Sequence, residues 1–255
     1  LRAALVLDPT RSGAAIQAGF DTLGEAALAA RSTLRGIVLT QGQGELVHRI
    51  FYDDALGRWQ RGRWHIDAGA SSGKSYIAMH LASQWAKAAE GGGGASLLIC
   101  HHEKMRAVMA AQVRLELGDG ATVVPCDGDV EAVWIRSADG SAEVLVATID
   151  GLVDVVGLEE VEGVLSPPTL SPAWRGRFAD NGVVVDEAHL VFGREVRPEV
   201  AGQHRLVDSR HVSVLIDLLL MGDDGSSGRL AVLGDANQLN CPYDAEATKK
   251  KFVDG

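Results

Sequence analysis

From residue 63 onward the chain alternates short apolar runs with segments of helical periodicity, and this alternation limits the fold more than any other feature. Several of the apolar runs are nearly uninterrupted, as is typical of strands that are buried on both faces of a parallel sheet. The strand-like runs are RWHIDA, ASLLIC, ATVVPC, AEVLVATI, NGVVVDEAHLV and RLAVLGDANQL, and the helical ones are 74–90, EKMRAVMAAQVRLEL and HVSVLIDLLLM. The sequence therefore predicts an α/β fold with a mostly parallel central sheet and helices on both faces.

Composition and charge narrow the class of protein. The 255 residues, of which 46% are hydrophobic, suffice for one large core or two modest ones. The chain contains no apolar run of about 18 residues, and its start, LRAALVLDPTRSG, lacks the features of a secretory signal. We therefore expect a cytoplasmic protein with no membrane partner.

The charge and the cysteines exclude further classes. A net charge of -10 argues against non-specific nucleic-acid binding through a basic surface, although a local basic groove is compatible with it. Cys100, Cys126 and Cys241 lie far apart, each in or beside an apolar segment, without the paired spacing of a zinc site or a disulfide framework. We predict that they are buried free thiols.

The segment AGASSGKS, between a predicted strand and a predicted helix, has the pattern of a phosphate-binding loop. Small residues allow consecutive backbone N–H groups to converge on a phosphate at a helix N-terminus, where the helix dipole also favours an anion. Lys74 would reach the β- and γ-phosphate oxygens, and the Ser75 hydroxyl would bind Mg²⁺. The alternative is a glycine turn that happens to precede a helix. The predicted loop consists of Ala68, Gly69, Ala70, Ser71, Ser72, Gly73, Lys74 and Ser75.

The segment VVVDEAH places two acids at the end of a predicted buried strand. Ligands of open α/β sheets bind at the carboxyl ends of the strands, so Asp186 and Glu187 are predicted to lie beside the phosphate loop. Asp186 can hold Mg²⁺ through its water shell, and Glu187 can accept the proton of an attacking water. The alternative is that the two acids cap the following helix.

The segment LAVLGDANQL adds a third strand that ends in polar residues, Asp235 and Gln238. A neutral amide beside a γ-phosphate can sense it by hydrogen bonding without adding charge, and its position would change on hydrolysis. The alternative is an ordinary polar loop after a core strand.

In this order, the three motifs resemble the nucleotide-binding motifs of superfamily 1 DNA and RNA helicases, and look most like those of the UvrD/Rep-like and Schlafen-type branches. The third motif distinguishes superfamily 1 from superfamily 2, because superfamily 2 proteins with a DEAH box normally carry a Ser-Ala-Thr motif at this place. The resemblance implies a RecA-like P-loop NTPase fold with ATP and Mg²⁺ as cofactors, and it gives Gln238 the contact with the γ-phosphate. LTQGQGELVHRI is similar to the family's adenine-reading segment, with Gln43 at the matching position.

Two weaker matches concern nucleic acid. LLICHHEKMRAVM and LVATIDGLVD are similar to segments that follow strands and contact nucleic acid in this family. The resemblance implies contacts at His101, His102 and Thr148, the last to a phosphate, and single-stranded DNA or RNA as the partner. It also implies a second RecA-like domain, which supplies arginine fingers and is absent from this chain.

The predicted domain organisation has two parts. We interpret residues 1–36 as an N-terminal extension that could be the end of an upstream domain, and residues 37–255 as one RecA-like ATPase domain. The favoured function is the motor domain of a superfamily 1 helicase or translocase. An ATP-dependent switch that drives partner assembly without nucleic acid, and a degenerate module that binds ATP without hydrolysing it, remain as alternatives.

Overall fold

The computed structural model describes residues 39–69, 72–88, 94–128, 130–158, 160–161, 164–165, 170–192, 209–222, 225 and 227–235. The predictions made for residues 1–36, for Ala70 and Ser71 of the loop, and for Gln238 and Cys241 lie outside these residues.

The elements follow the predicted alternation for most of the chain. The helices are α1 (Gln41–Phe51), α2 (Lys74–Lys87), α3 (Glu103–Leu117), α4 (Ile149–Val156), α5 (Ala188–Phe192) and α6 (Ser209–Leu220). The strands are β1 (Tyr52–Asp53), β2 (Arg58–Trp59), β3 (Arg63–Asp67), β4 (Gly94–Cys100), β5 (Thr122–Pro125), β6 (Ala132–Arg136), β7 (Ala142–Thr148), β8 (Glu160–Val161), β9 (Val164–Leu165), β10 (Gly182–Val185) and β11 (Leu230–Gly234).

The central sheet has seven strands in the order β3-β11-β10-β4-β7-β6-β5. The first five strands of this order are parallel to one another, whereas β6 pairs antiparallel with both β7 and β5. The prediction of a mostly parallel sheet is confirmed. The remaining described strands form two small antiparallel pairs, β1 with β2 and β8 with β9.

The sheet separates two hydrophobic cores. Side chains alternate along each strand, so in β4 Leu97 and Ile99 belong to one core while Leu98 and Cys100 belong to the other. Helices α4, α5 and α6 cover the first core, and α1, α2 and α3 cover the second. The predicted arrangement of helices on both faces is therefore confirmed.

One predicted strand ends earlier than expected. AEVLVATI was predicted as a strand, but β7 stops at Thr148 and Ile149 begins α4. The Thr148 hydroxyl accepts a hydrogen bond from the Gly151 backbone N–H at 3.1 Å and so caps the helix. A side chain at Gly151 would collide with the backbone of Glu131, so glycine is required for this close approach.

Two predictions from composition can be compared with the described residues. Among them, no helix has the length and apolar character needed to cross a bilayer. Cys100 is a buried free thiol, as predicted, whereas the free thiol of Cys126 is only half-buried. Burial raises the pKa of Cys100 to about 12.

Candidate functional site

The three motif-bearing strands β3, β11 and β10 are neighbours and end at the same edge of the sheet. β11 lies between the other two strands, in parallel register with both, so that Gly234 is opposite Asp67 and Val232 is opposite Val185. The residues that follow parallel strands therefore meet at one edge, where ligands of open α/β sheets bind.

The loop after β3 is held against β11 by its backbone. The Ala68 N–H donates to the Gly234 carbonyl at 3.0 Å, and the Ser72 N–H donates to the Gly69 carbonyl at 3.3 Å. Gly73 precedes α2 with φ of 85°, in the left-handed region that favours glycine, and provides no side-chain cap. The N-terminus of α2 therefore presents backbone N–H groups that no cap side chain satisfies, which suits an anion.

Lys74 is folded into the loop rather than extended into solvent. Its side chain is buried, with 5% of the residue exposed, and Nζ donates to the carbonyl oxygens of Ala68 at 2.7 Å and Gly69 at 2.9 Å. A buried ammonium thus lies within the turn that the sequence predicts to bind phosphate.

Ser75 and Asp186 come together although 111 positions separate them in sequence. The Ser75 hydroxyl donates to Asp186 Oδ2 at 2.7 Å, and Asp186 is fully buried. Burial raises the pKa of Asp186 to about 6 and the charge of Glu187 acts in the same direction, while the Ser75 hydrogen bond and Lys74 oppose the shift. Oδ1 of Asp186 has no hydrogen-bond partner among the described residues. A buried carboxylate oxygen without a donor is costly unless a cation or another donor approaches it.

Glu187 has a backbone conformation that is unusual for a residue with a side chain. Its φ of 49° is the one positive value at a described non-glycine residue. Such conformations cost about 1–3 kcal/mol and are found mainly at functional sites. Glu187 Oε2 lies 3.5 Å from Nδ1 of His189, and the buried His189 Nδ1 is also 3.5 Å from the backbone N of Asp235.

Gln43 lies against the phosphate loop. It is the third residue of α1, where its Oε1 accepts from the Thr40 N–H at 2.9 Å, and its Nε2 donates to the Ser72 carbonyl at 2.9 Å. The amide packs so closely on Gly73 that a side chain there would collide with it. Contact of Gln43 with adenine remains a prediction.

The residues predicted to contact nucleic acid lie at the ends of β4 and β7, at the same edge. His102 is exposed and caps α3, its Nδ1 accepting from the Lys104 N–H at 3.0 Å, and its ring lies 6.3 Å from that of His101. Thr148 is buried, with 1% exposed, and its hydroxyl donates to Glu131 Oε2 at 2.7 Å. A contact of Thr148 with nucleic acid remains a prediction.

Sequence reasoning did not identify His189 or Glu131 as members of the site. His189 belongs to the quoted DEAH segment, but its contact with Asp235 spans 46 positions. Glu131 precedes a strand that was not predicted, so no sequence pattern indicated its contact with Thr148.

The protein would supply few ligands to a metal ion at this edge. In the described ranges, no group of three or more His, Cys, Asp or Glu side chains is arranged to hold a metal ion. Mg²⁺ often uses only one or two protein ligands and takes the others from water and substrate phosphates. Ser75 Oγ and the unpartnered Oδ1 of Asp186 fit that pattern.

The chain matches no protein-family model, no curated protein and no solved structure. The contacts at the sheet edge are therefore the basis on which a function is assigned.

Proposed function

We propose that this chain is the ATP-binding and ATP-hydrolysing motor domain of a superfamily 1 helicase-like protein, with a RecA-like P-loop fold. One contact carries the proposal: the hydrogen bond of 2.7 Å between the Ser75 hydroxyl and Asp186. It joins the hydroxyl at the end of the glycine-rich loop to the buried acid that follows β10, two strands away from β3 in the sheet. A site for a metal-bound nucleotide requires such a pair.

The loop supports phosphate binding through its backbone and through Lys74. The uncapped N-terminus of α2 offers N–H groups and the positive end of the helix dipole. Lys74 Nζ would exchange the carbonyl oxygens of Ala68 and Gly69 for β- and γ-phosphate oxygens, since these are charged acceptors and form stronger hydrogen bonds.

Ser75 and Asp186 would hold Mg²⁺ directly or through water. When bound, Mg²⁺ supplies positive charge that neutralises the β- and γ-phosphate oxygens. The contact between Ser75 and Asp186 keeps the two side chains together at the phosphate end of the loop.

Glu187 would act as the general base. The oxygen of a water molecule forms a bond to the γ-phosphorus while the bond from that phosphorus to the β–γ bridging oxygen breaks, which leaves ADP and inorganic phosphate. The Glu187 carboxylate accepts a proton of the attacking water. Its neighbour Asp186 serves the metal, so the two acids have different roles.

Single-stranded DNA or RNA is the proposed partner of the motor. His101 and His102 follow β4, and Thr148 is the last residue of β7, at the edge that also carries the phosphate loop. A single nucleic-acid strand that lies along this edge would contact both the nucleotide site and these loops. A second RecA-like domain would complete the groove and the ATP site.

One observation favours a second function, an ATP-dependent switch that assembles with a protein partner. The Thr148 hydroxyl is bonded to a carboxylate, Glu131, and further acids, Glu103 and Asp150, lie in the first turns of the helices that follow β4 and β7. Carboxylates repel a phosphate backbone. The switch uses the same ATP site and differs only in what hydrolysis is coupled to.

ATP binding is tested by removing the charge of Lys74. We expect Lys74→Ala to weaken the affinity for Mg²⁺-ATP by about tenfold to a hundredfold, because a charge-assisted contact is lost. The matched control is Lys87→Ala, at the other end of α2, where Nζ bonds to the Glu116 carbonyl at 2.6 Å. The measurement is titration with a fluorescent ATP analogue. Equal affinities of the wild type and Lys74→Ala would contradict the assignment.

A further inference from the structure

His189 lies between Glu187, which follows β10, and Asp235, which follows β11, and one nitrogen of its ring is close to both. Nδ1 is 3.5 Å from Glu187 Oε2 and 3.5 Å from the backbone N of Asp235. The residue is 4% exposed, and the end of β11 is so close that a Cβ at Gly234 would lie 3.8 Å from Nδ1. Water therefore has little access to this nitrogen, and its partners among the described residues are the two protein groups.

The two contacts of Nδ1 exclude each other. A ring nitrogen of histidine carries either a proton or a lone pair. With a lone pair, Nδ1 accepts a hydrogen bond from the Asp235 N–H. With a proton, Nδ1 donates to the Glu187 carboxylate and leaves the Asp235 N–H without that acceptor. Both distances equal 3.5 Å, so neither contact is closer than the other.

We propose that His189 is a positioning residue that makes the availability of Glu187 as a base depend on the position of the end of β11. This inference rests on the proposed function and concerns the regulation of that site. While the Asp235 N–H occupies Nδ1, Glu187 Oε2 has no donor among the described residues and is available to accept a proton. When the end of β11 moves away, water reaches the ring and the other neutral tautomer forms: Nδ1 takes a proton from water, Nε2 returns one to solvent, and Nδ1 donates to the carboxylate.

The backbone of Glu187 limits the alternatives open to its side chain. With φ at 49°, the backbone of Glu187 is strained, and the surrounding structure must hold it in this conformation. Its carboxylate is thereby directed to His189 in the first residues of α5.

The regulation has a direct route to the nucleotide. The Ala68 N–H of the phosphate loop donates to the carbonyl of Gly234, the residue before Asp235, at 3.0 Å. A γ-phosphate bound in the loop would hold the end of β11 through this contact, would thereby fix the Asp235 N–H on Nδ1, and would thus release Glu187 for the reaction. Loss of the γ-phosphate would reverse the exchange.

The first test separates catalysis from nucleotide binding. We expect His189→Ala to lower kcat by about tenfold or more while the Kd for Mg²⁺-ATP changes by less than about twofold. His189→Asn, whose amide occupies the place of Nδ1, is expected to recover at least about a third of the wild-type kcat. The control is His80→Ala, because His80 Nδ1 lies 3.3 Å from a carboxylate, Glu116 Oε1, between α2 and α3. This control should retain both constants.

A merely structural role predicts a different pattern. It would lower kcat, affinity and melting temperature together in His189→Ala, without rescue by His189→Asn, and that pattern overturns the inference. A wild-type kcat in His189→Ala overturns it as well while leaving the proposed function intact. If the wild type neither binds nor hydrolyses Mg²⁺-ATP, the proposed function fails and this inference fails with it.

The second test uses the wild-type protein, so that it does not depend on the folding of a variant. Nitrogen chemical shifts of the His189 ring report which nitrogen is protonated. With a non-hydrolysable ATP analogue and Mg²⁺ bound, we expect Nδ1 to lack a proton, because it accepts from the Asp235 N–H. A protonated Nδ1 in that complex would overturn the inference.

Discussion

At the scale of single residues, two adjacent acids face different partners. Asp186 is fully buried and accepts from the Ser75 hydroxyl, whereas the side chain of Glu187 is 27% exposed and lies near His189. Their separate surroundings would allow one acid to serve the metal and the other to serve the water, and these roles stay predictions.

This difference predicts the behaviour of Glu187→Gln. The amide keeps the shape and reach of the side chain but has no basicity, so hydrolysis should fall by about a hundredfold or more while ATP still binds. Single-turnover hydrolysis and equilibrium binding measure the two effects separately. Loss of binding would assign Glu187 a structural role, and unchanged hydrolysis would place the base at another residue.

The sequence predicted which residues lie at the sheet edge better than it predicted their contacts. Asp186 and Lys74 follow or begin elements whose patterns are clear, so their meeting at the carboxyl edge follows from a parallel sheet. The contacts of His189 with Asp235 and of Glu131 with Thr148 depend on the packing of loops that are remote in sequence. No local pattern encodes such pairs.

At the scale of elements, the parts that sequence reasoning missed had recognisable local signals. Strands β6 and β7 form a hairpin around SADGS, in which Gly140 has φ of 71° and Asp139 accepts from the Ser141 N–H at 3.0 Å. An Asp-Gly pair between apolar runs is a strong hairpin signal. The alternation of apolar runs with helices predicts parallel units, so the antiparallel end of the sheet was not predicted.

Helix α1 was also not predicted, for a different reason. The segment QGQGELVHRIF contains two glycines, which disfavour a helix interior. Thr40 and Gln43 nevertheless form a reciprocal capping box, in which each side chain bonds to the other's backbone N–H. The spacing Thr-x-x-Gln is a known start signal and outweighs the glycines here.

A buried arginine joins elements at the end of the sheet where the parallel strands begin, opposite to the end that carries the site. Arg229 donates to the carbonyl oxygens of Trp59 and Gln60, at the end of β2, at 3.1 Å each. It also donates to those of Asp180 and Asn181, before β10, at 2.7 and 2.9 Å. The contacts hold the start of β3 and the start of β10 in fixed positions relative to β11.

Replacing this arginine should therefore destabilise the fold. Arg229→Met would leave several carbonyl oxygens unsatisfied, and we expect the free energy of unfolding to fall by about 3 kcal/mol. The matched control is Arg61→Met, since Arg61 pairs with Asp180 at 3.6 Å with both side chains largely exposed, and should cost less than about 1 kcal/mol. Urea unfolding followed by tryptophan fluorescence measures both. Equal losses would contradict the role given to Arg229.

At the scale of the whole molecule, the uninterrupted apolar runs predicted a sheet buried on both faces, and two cores confirm it. The net charge of the whole chain, -10, opposes nucleic-acid binding, because an acidic protein repels a phosphate backbone. Binding would have to occur through a local groove at the sheet edge, where phosphate contacts depend strongly on salt.

This requirement separates the motor from the switch. In a protein that contains both of the proposed RecA-like domains, the motor proposal predicts that single-stranded DNA or RNA stimulates ATP hydrolysis. The stimulation should decline steeply, by about tenfold or more, between 50 and 200 mM salt. ATPase rates at the two salt concentrations measure the effect. Absence of stimulation by either nucleic acid would favour the switch.

The central claim is that the Ser75 hydroxyl and Asp186 form the metal side of an ATP site. The most direct measurement is ATP affinity with and without Mg²⁺, in the wild type and in Asp186→Asn, which keeps the size of the side chain and removes its charge. The account predicts that Mg²⁺ raises the affinity of the wild type by about tenfold or more and that this gain is largely lost in the variant. An equal gain in both proteins, or no ATP binding by the wild type, would contradict it.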